Sequence, residues 1–253
     1  MEMPDILNLI ILVAIGLFAG VINTIAGGGS LLTLPMLIFL GLPPGVANGT
    51  NRIGIFIQSI FSIAGFKSKG INPSKFSLYL GISALVGSII GAKIAIDIKG
   101  ELFNRILAIL MVFIVLFMVF KPKIDTEKLQ ERFEGKYLWV SLLCFFFIGI
   151  YGGFIQAGVG IFILLALSSI NRFSLVKSNA IKVVVVLIYT VAALAVFIYN
   201  DQINYLYGIV LAAGNAAGGW FASRWSVKKG DGLVKIFLII MVVAMAIKLW
   251  LDQ

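Results

Sequence analysis

Eight stretches of this chain stay apolar for about 20 residues at a time, and few folds accommodate that. They are residues 6–25, 47–66, 76–98, 102–120, 137–155, 180–199, 203–225 and 233–251. At 1.5 Å of rise per residue, about 20 helical residues cross the roughly 30 Å of hydrocarbon in a bilayer. A helix also closes its backbone hydrogen bonds within itself, as a lipid-embedded segment must. Of 253 residues, 60% are hydrophobic and 12% charged, whereas soluble domains run at about 45–50% and about 25%. The sequence therefore predicts an all-α polytopic membrane protein whose constant partner is the lipid bilayer.

Two further runs, residues 31–42 and 161–170, are too short to cross unaided and read as half-helices or re-entrant segments. Glycine-rich breaks precede both: Ala26-Gly27-Gly28-Gly29-Ser30 and Ala157-Gly158-Val159-Gly160. Residues 121–136 mix both signs of charge and read as a solvated linker, which divides the chain into 1–120 and 137–253. Glu2 and Asp5 stand where a cleavable signal peptide carries bases, so the first run is expected to stay in the mature protein. The single cysteine, Cys144, excludes an internal disulfide and reads as a small buried apolar residue.

The two sides of the linker resemble each other. The segment FAGVINTIAGGGSLL from Phe18 aligns with YGGFIQAGVGIFIL from Tyr151 across a two-residue gap. In the same order, Arg52 pairs with Lys182, Ile71-Asn72 with Ile203-Asn204, and Gly87-x-x-x-Gly91 with Gly214-x-x-x-Gly218. Gly100 and Arg105 then pair with Gly230 and Lys235. Internal repeats with short, glycine-broken segments in corresponding positions are a mark of secondary transporters, and the breaks point to the binding site. If each short segment returns the chain to the side it entered from, the second half is inverted. One face then collects Lys67, Lys69, Lys75, Lys121, Lys123, Lys128, Arg132, Lys136, Arg172, Lys177, Arg224, Lys228 and Lys229. The other keeps Lys93, Lys99, Arg105 and Lys248. Basic loops face the cytoplasm, so the linker is expected inside and both termini outside. The expected fold is two pseudo-symmetric inverted repeats, about eight long helices and two short ones, in the plasma (inner) membrane.

The formal net charge is +9. In a soluble chain that would suggest nucleic acid; here cytoplasmic loops facing anionic lipid explain it, and no nucleic-acid partner is expected. All eleven carboxylates fall in loops, at termini or within a turn of a segment end. The residues that enter the apolar runs are Arg52, Lys182 and the amides Asn23, Asn48, Asn51, Gln156, Asn179 and Asn215. A cation site wants oxygen ligands, usually carboxylates, whereas positive charge without an acid partner suits a small anion. Snorkelling is the competing account of Arg52 and Lys182, because each lies near a segment start. A short helix beginning at the glycine break would aim free N–H groups and the positive end of its dipole at a ligand, with Ser30 adding a hydroxyl. Tight packing is the competing account of those glycines, and the favoured one for the two Gly-x-x-x-Gly pairs. The chain has no histidine, hence no histidine general base. Ser30 with Lys182 has nothing specific behind it as a dyad. No enzyme activity, metal or cofactor is expected; an intramembrane enzyme or an accessory subunit are the alternatives in other classes.

The segments GVINTIAGGGSLLTLPMLIFLGLPPGVANGTNR, GGFIQAGVGIFILLAL, SNAIKVVVVLIYTVAALAVF and GNAAGGW resemble the sulfite exporter TauE/SafE family over essentially the whole chain. The resemblance implies a permease for a small sulfur-containing anion such as sulfite, thiosulfate or an organosulfonate, and members differ in substrate and direction. It implies a binding role for Asn23, Gly27, Gly28, Gly29, Ser30, Asn48, Thr50 and Arg52 in the first half. In the second half it implies one for Gln156, Gly158, Gly160, Asn179 and Lys182. The second copy carries Val159 and Ile161 where the first has glycine and serine, so an asymmetric site is expected. An anion leaving a negative interior gains about 2.3 kcal/mol per charge per 100 mV, which favours export over uptake.

Cysteine-accessibility labelling on a Cys144→Ala background tests the orientation. Residues 67–75 and 121–136 should label from the cytoplasm and both termini from outside; linker and C-terminus on one side would contradict inverted halves.

Overall fold

In a computed structural model, residues 5–72, 74–120 and 130–226 are described. They form nine α-helices and, among the described residues, no strand. In order these are α1 (Ile6–Ile25), α2 (Ser30–Phe39), α3 (Pro44–Lys67), α4 (Lys75–Asp97), α5 (Gly100–Phe120), α6 (Lys136–Phe154), α7 (Val159–Ser169), α8 (Leu175–Tyr199) and α9 (Tyr205–Trp225). The apolar run 233–251 and linker residues 121–129 lie outside the described residues. Four helices, α1, α4, α6 and α8, are long and apolar enough to cross a membrane. At 10 and 11 residues, α2 and α7 span about 15–17 Å and cannot cross.

Polar start signals extend helices beyond the apolar runs. Asp5 caps α1 by accepting from the Leu7 N–H at 3.3 Å, Ser174 caps α8 from Lys177, and Asn204 caps α9 from Tyr207 at 3.1 Å. Pro44 opens α3, where its missing N–H costs nothing. Three residues of α3 and five of α8 therefore precede the points where hydrophobicity rises.

The helices are sorted inside out. On α4, Leu78, Ile82, Val86, Ile90 and Ile94 are all exposed, and a spacing of four keeps them on one stripe. Ile6, Ile10, Val13 and Leu17 do the same on α1. So much exposed apolar surface would aggregate in water but suits lipid. Polar side chains gather within: Asn48, Thr50, Asn51, Arg52, Gln58, Ser59 and Ser62 of α3 are all buried.

Glycines set how closely the helices approach. A Cβ on Gly87 or Gly91 of α4 would strike backbone atoms of Phe146 and Ile150 in α6, while one on Gly149 or Gly153 of α6 would strike Ala84 and Ser88. The same interdigitation joins α9 to α1: Gly214 and Gly218 lie on the backbone of Val13 and Leu17, Gly16 and Gly20 on that of Leu211 and Asn215. Packing is thus the structural role of both Gly-x-x-x-Gly pairs. Helix α3 packs against α8 and α9, and α8 also against α4.

The end of the linker is docked rather than free. The Arg132 N–H donates to the Asn171 carbonyl at 2.9 Å, the Asn171 amide returns a bond to the Arg132 carbonyl, and Phe133 packs on Phe76 and Phe173. Among its described residues Glu134 and Lys136 are exposed, Glu131 pairs with Lys177, and Phe133 finds aromatic partners, which a reading by charge alone does not separate.

Candidate functional site

The two glycine-rich breaks are alike in outline and differ in detail: before the second helix Gly29 is right-handed where Gly158 is left-handed. Helix α1 ends at Ile25 and α2 begins at Ser30; α6 ends at Phe154 and α7 begins at Val159. The breaks are of equal length, so the two-residue gap of the sequence alignment has no counterpart in the helix boundaries. Gly27 (φ +83°) and Gly158 (φ +69°) take the left-handed conformation that glycine adopts freely, and Gln156 (φ +59°) takes it against the preference of a side chain. A Cβ on Gly27 would collide with the backbone of Gly160, and one on Gly160 with that of Gly27. The breaks meet back to back.

A helix that stops in the interior leaves its last carbonyls without partners. Here a cation from another part of the chain meets each set. The Lys182 ammonium, from α8, donates to the carbonyls of Asn23 at 2.8 Å and Thr24 at 2.9 Å, and to Asn179 Oδ1 at 2.6 Å. These engage all three of its donors. At the end of α6, Arg52 of α3 donates to the carbonyls of Gly152 at 3.1 Å and Gly153 at 2.5 Å, and to Asn48 Oδ1 at 3.3 Å. Asn48 donates in turn to the Phe154 carbonyl at 2.7 Å. The guanidinium lies over the Phe197 ring, 4.5 Å from its centroid, and its Nε–H has no partner. Arg52 is 0% and Lys182 2% exposed, so neither snorkels. Positive charge at a helix C-terminus is also favourable to the dipole. Among the described residues the ion pairs are Arg105–Glu101 and Lys177–Glu131, both away from these cations.

Side chains hold the α1 end in a further network. Asn23 donates to Gln58 Oε1 at 2.9 Å, Gln58 donates to the Thr24 hydroxyl at 3.1 Å, and that hydroxyl meets Ser62 at 3.0 Å. At the other break Gln156 donates to Thr190 at 3.3 Å. At the opening turn of α2, nothing among the described residues accepts from the N–H groups of Gly28, Gly29 or Ser30, and at that of α7 nothing accepts from those of Gly158 or Gly160. These residues are all buried.

Of the residues singled out in the sequence, Asn23, Gly27, Gly160, Asn179 and Lys182 thus gather at the α1 break, and Asn48, Arg52 and Gln156 at the α6 break. Gly28, Gly29 and Ser30 form the opening of α2, and Gly158 caps α7 beside Ile114. Thr50 stands apart: its hydroxyl accepts from the Asn204 N–H at the start of α9. Thr24, Thr33, Gln58, Ser62 and Thr190 were missed. Asn51, Gln58 and Ser62 recur at helical spacing within an apolar run, a signal that would have found that face of α3. Among the described residues no cluster of three His, Cys, Asp or Glu side chains is placed to hold a metal ion.

Comparison with known proteins finds membrane transporters along nearly the whole chain. The family model described as sulfite exporter TauE/SafE matches residues 12–249. A probable membrane transporter protein of Haemophilus influenzae is 31% identical over 245 residues, 97% of this chain and 95% of its own. The probable membrane transporter protein YfcA of Escherichia coli is 30% identical over 254 residues, covering 100% of this chain and 93% of that one. ORF9 of a Sinorhizobium species, also a probable membrane transporter protein, is 27% identical across 92% of this chain and 89% of its own. No solved structure matches the chain.

Arg52→Ala strands the carbonyls of Gly152 and Gly153, and Lys182→Ala that of Thr24. At about 1–3 kcal/mol per stranded buried group, both variants should melt well below wild type in detergent. Wild-type melting with lost transport would instead make them direct ligands.

Proposed function

This chain belongs to the sulfite exporter TauE/SafE family of membrane transporters, and we propose that it is a permease that exports a small sulfur-containing anion. Sulfite, thiosulfate and organosulfonates form the class. The observation that carries the proposal is the charge of the interior at the helix breaks: two buried cations bonded, among the described residues, to neutral oxygens alone, with a helix start whose N–H groups are unused by those residues. A cation about 6 Å from an anion, at an effective dielectric near 20, contributes about 3 kcal/mol. Arg52 and Lys182 therefore attract an anion without leaving their helix ends. The opening of α2 at Gly28, Gly29 and Ser30 supplies the contacts, with Gly27, Asn23, Asn48 and Asn179 holding the frame. Gln156, Gly158 and Gly160 belong to the facing break, and Thr50 fixes α9 against α3.

Inverted repeats supply the route. The pairings support them: α1 packs on α9 as α6 packs on α4, and α3 on α9 as α8 on α4. Each interrupted helix ends against a cation two turns into the partner half's long helix. Residues 1–120 and 137–253 are then the two halves, in the plasma membrane with both termini outside. In this reading α1 with α2 and α6 with α7 each return to the side they enter from, and α3, α4, α5, α8 and α9 cross, as the apolar run 233–251 is expected to. Helices α3 and α9 are less apolar because they carry the polar and small residues of the interior. The reaction is translocation without chemistry, driven outward by the inside-negative potential at about 2.3 kcal/mol per charge per 100 mV.

The test is flux from proteoliposomes holding the purified chain, with sulfite, thiosulfate, methanesulfonate, phosphate and chloride under a valinomycin-set potential. Sulfur anions should leave at least tenfold faster than phosphate and chloride, and faster when the inside is negative. Equal flux for all anions, or no flux from liposomes that hold the purified chain alone, would overturn the proposal.

A further inference from the structure

Asn51 lies two turns into α3, is fully buried, and makes one side-chain bond: its Oδ1 accepts from the Thr33 hydroxyl at 2.6 Å. Its Nδ2, with two N–H donors, has no partner. A donor left unmet in the interior is costly unless something outside the chain meets it. Thr33 is itself fully buried and stands on the first turn of α2, above Ser30. Helical side chains lean toward the N-terminus, so the Thr33–Asn51 bond brings the Asn51 amide beside the turn that exposes the N–H groups of Gly28, Gly29 and Ser30. With the Thr33 hydroxyl donating to Oδ1, the amide oxygen faces Thr33 and the two N–H donors face elsewhere. One turn further along α3, Asn215 of α9 lies against Gly54 with neither side-chain atom bonded. The cations, by contrast, are nearly spent: every Lys182 donor is engaged, and Arg52 directs three bonds to helix-end and Asn48 oxygens.

Resting on the permease reading above, we infer that Asn51 is a substrate-binding residue. It donates from Nδ2 to an oxyanion seated on the opening turn of α2, with Thr33 as the positioning residue that holds its amide in register. The anion is read by neutral donors, while the buried cations supply potential from one layer away. Neutral amides suit a transporter because they bind without the desolvation barrier of a direct ion pair, so the anion can also leave.

The experiment is radiolabelled thiosulfate efflux from proteoliposomes, with the melting temperature of each variant measured in detergent. Asn51→Asp keeps an oxygen for the Thr33 hydroxyl but replaces the donors by a second, negative oxygen. It should lose at least a hundredfold in efflux while melting near wild type. Thr33→Val keeps shape but frees the amide, and should raise the thiosulfate KM about tenfold with maximal rate little changed. Wild-type efflux from Asn51→Asp would overturn the assignment, as would an unchanged KM in Thr33→Val, which decides the matter should Asn51→Asp fail to fold. A wild-type protein that moves no sulfur anion would instead remove the permease reading itself; efflux by wild type with unaltered variants removes only the role of Asn51.

Discussion

Two helices of this protein stop inside the bundle, and the rest of the structure depends on how their stranded carbonyls are met. In water such ends are solvated; in a membrane interior each unmet group is costly. Lys182 closes the end of α1 and Arg52, with Asn48, that of α6. Each bond crosses from one half of the chain to the other, so neither half can form its break alone. Close glycine packing of α1 on α9 and of α4 on α6 brings the halves near enough for these bonds. The buried charge meets the interruption, and on the proposed reading it makes the interior attractive to anions.

Once the helix ends are closed by cations, the helix starts become the available surface. Among the described residues nothing accepts from the N–H groups that open α2, and the Asn51 amide, bonded to Thr33 of that helix, keeps free donors. Helix ends that need positive charge and a helix start that offers it lie on either side of the turn at Gly27, which packs on Gly160 of α7. A glycine is required at Gly27 on two counts: its φ is +83°, and the Gly160 backbone occupies the place of a Cβ. On the reading proposed above, the caps fix geometry and potential and the free donors select the ligand.

Hydrophobicity made the elements legible. The first apolar run, 6–25, coincides with α1, and the short runs foretell α2 and α7 within three residues at each end. Helix starts were less legible at α3 and α8, because Pro44 and Ser174 act through backbone geometry and capping rather than apolarity. The pairing of Arg52 with Lys182 was visible as a repeat, but their bonding was not. Sequence spacing offered anion contact or snorkelling; capping required knowing that residues 158 positions apart, Thr24 and Lys182, are in contact. Asn51 was visible as an amide in an apolar run, yet only the direction of its bond to Thr33 reveals which of its atoms is free.

The most direct measurement is anomalous diffraction from crystals of the wild-type chain grown with selenite, a heavy-atom analogue of sulfite. The account predicts one selenium peak within hydrogen-bonding reach of the Gly28–Ser30 backbone and Asn51 Nδ2, with Lys182 and Arg52 still bonded to the ends of α1 and α6. A peak seated directly on the Lys182 ammonium or the Arg52 guanidinium, with those helix-end carbonyls released, would contradict it.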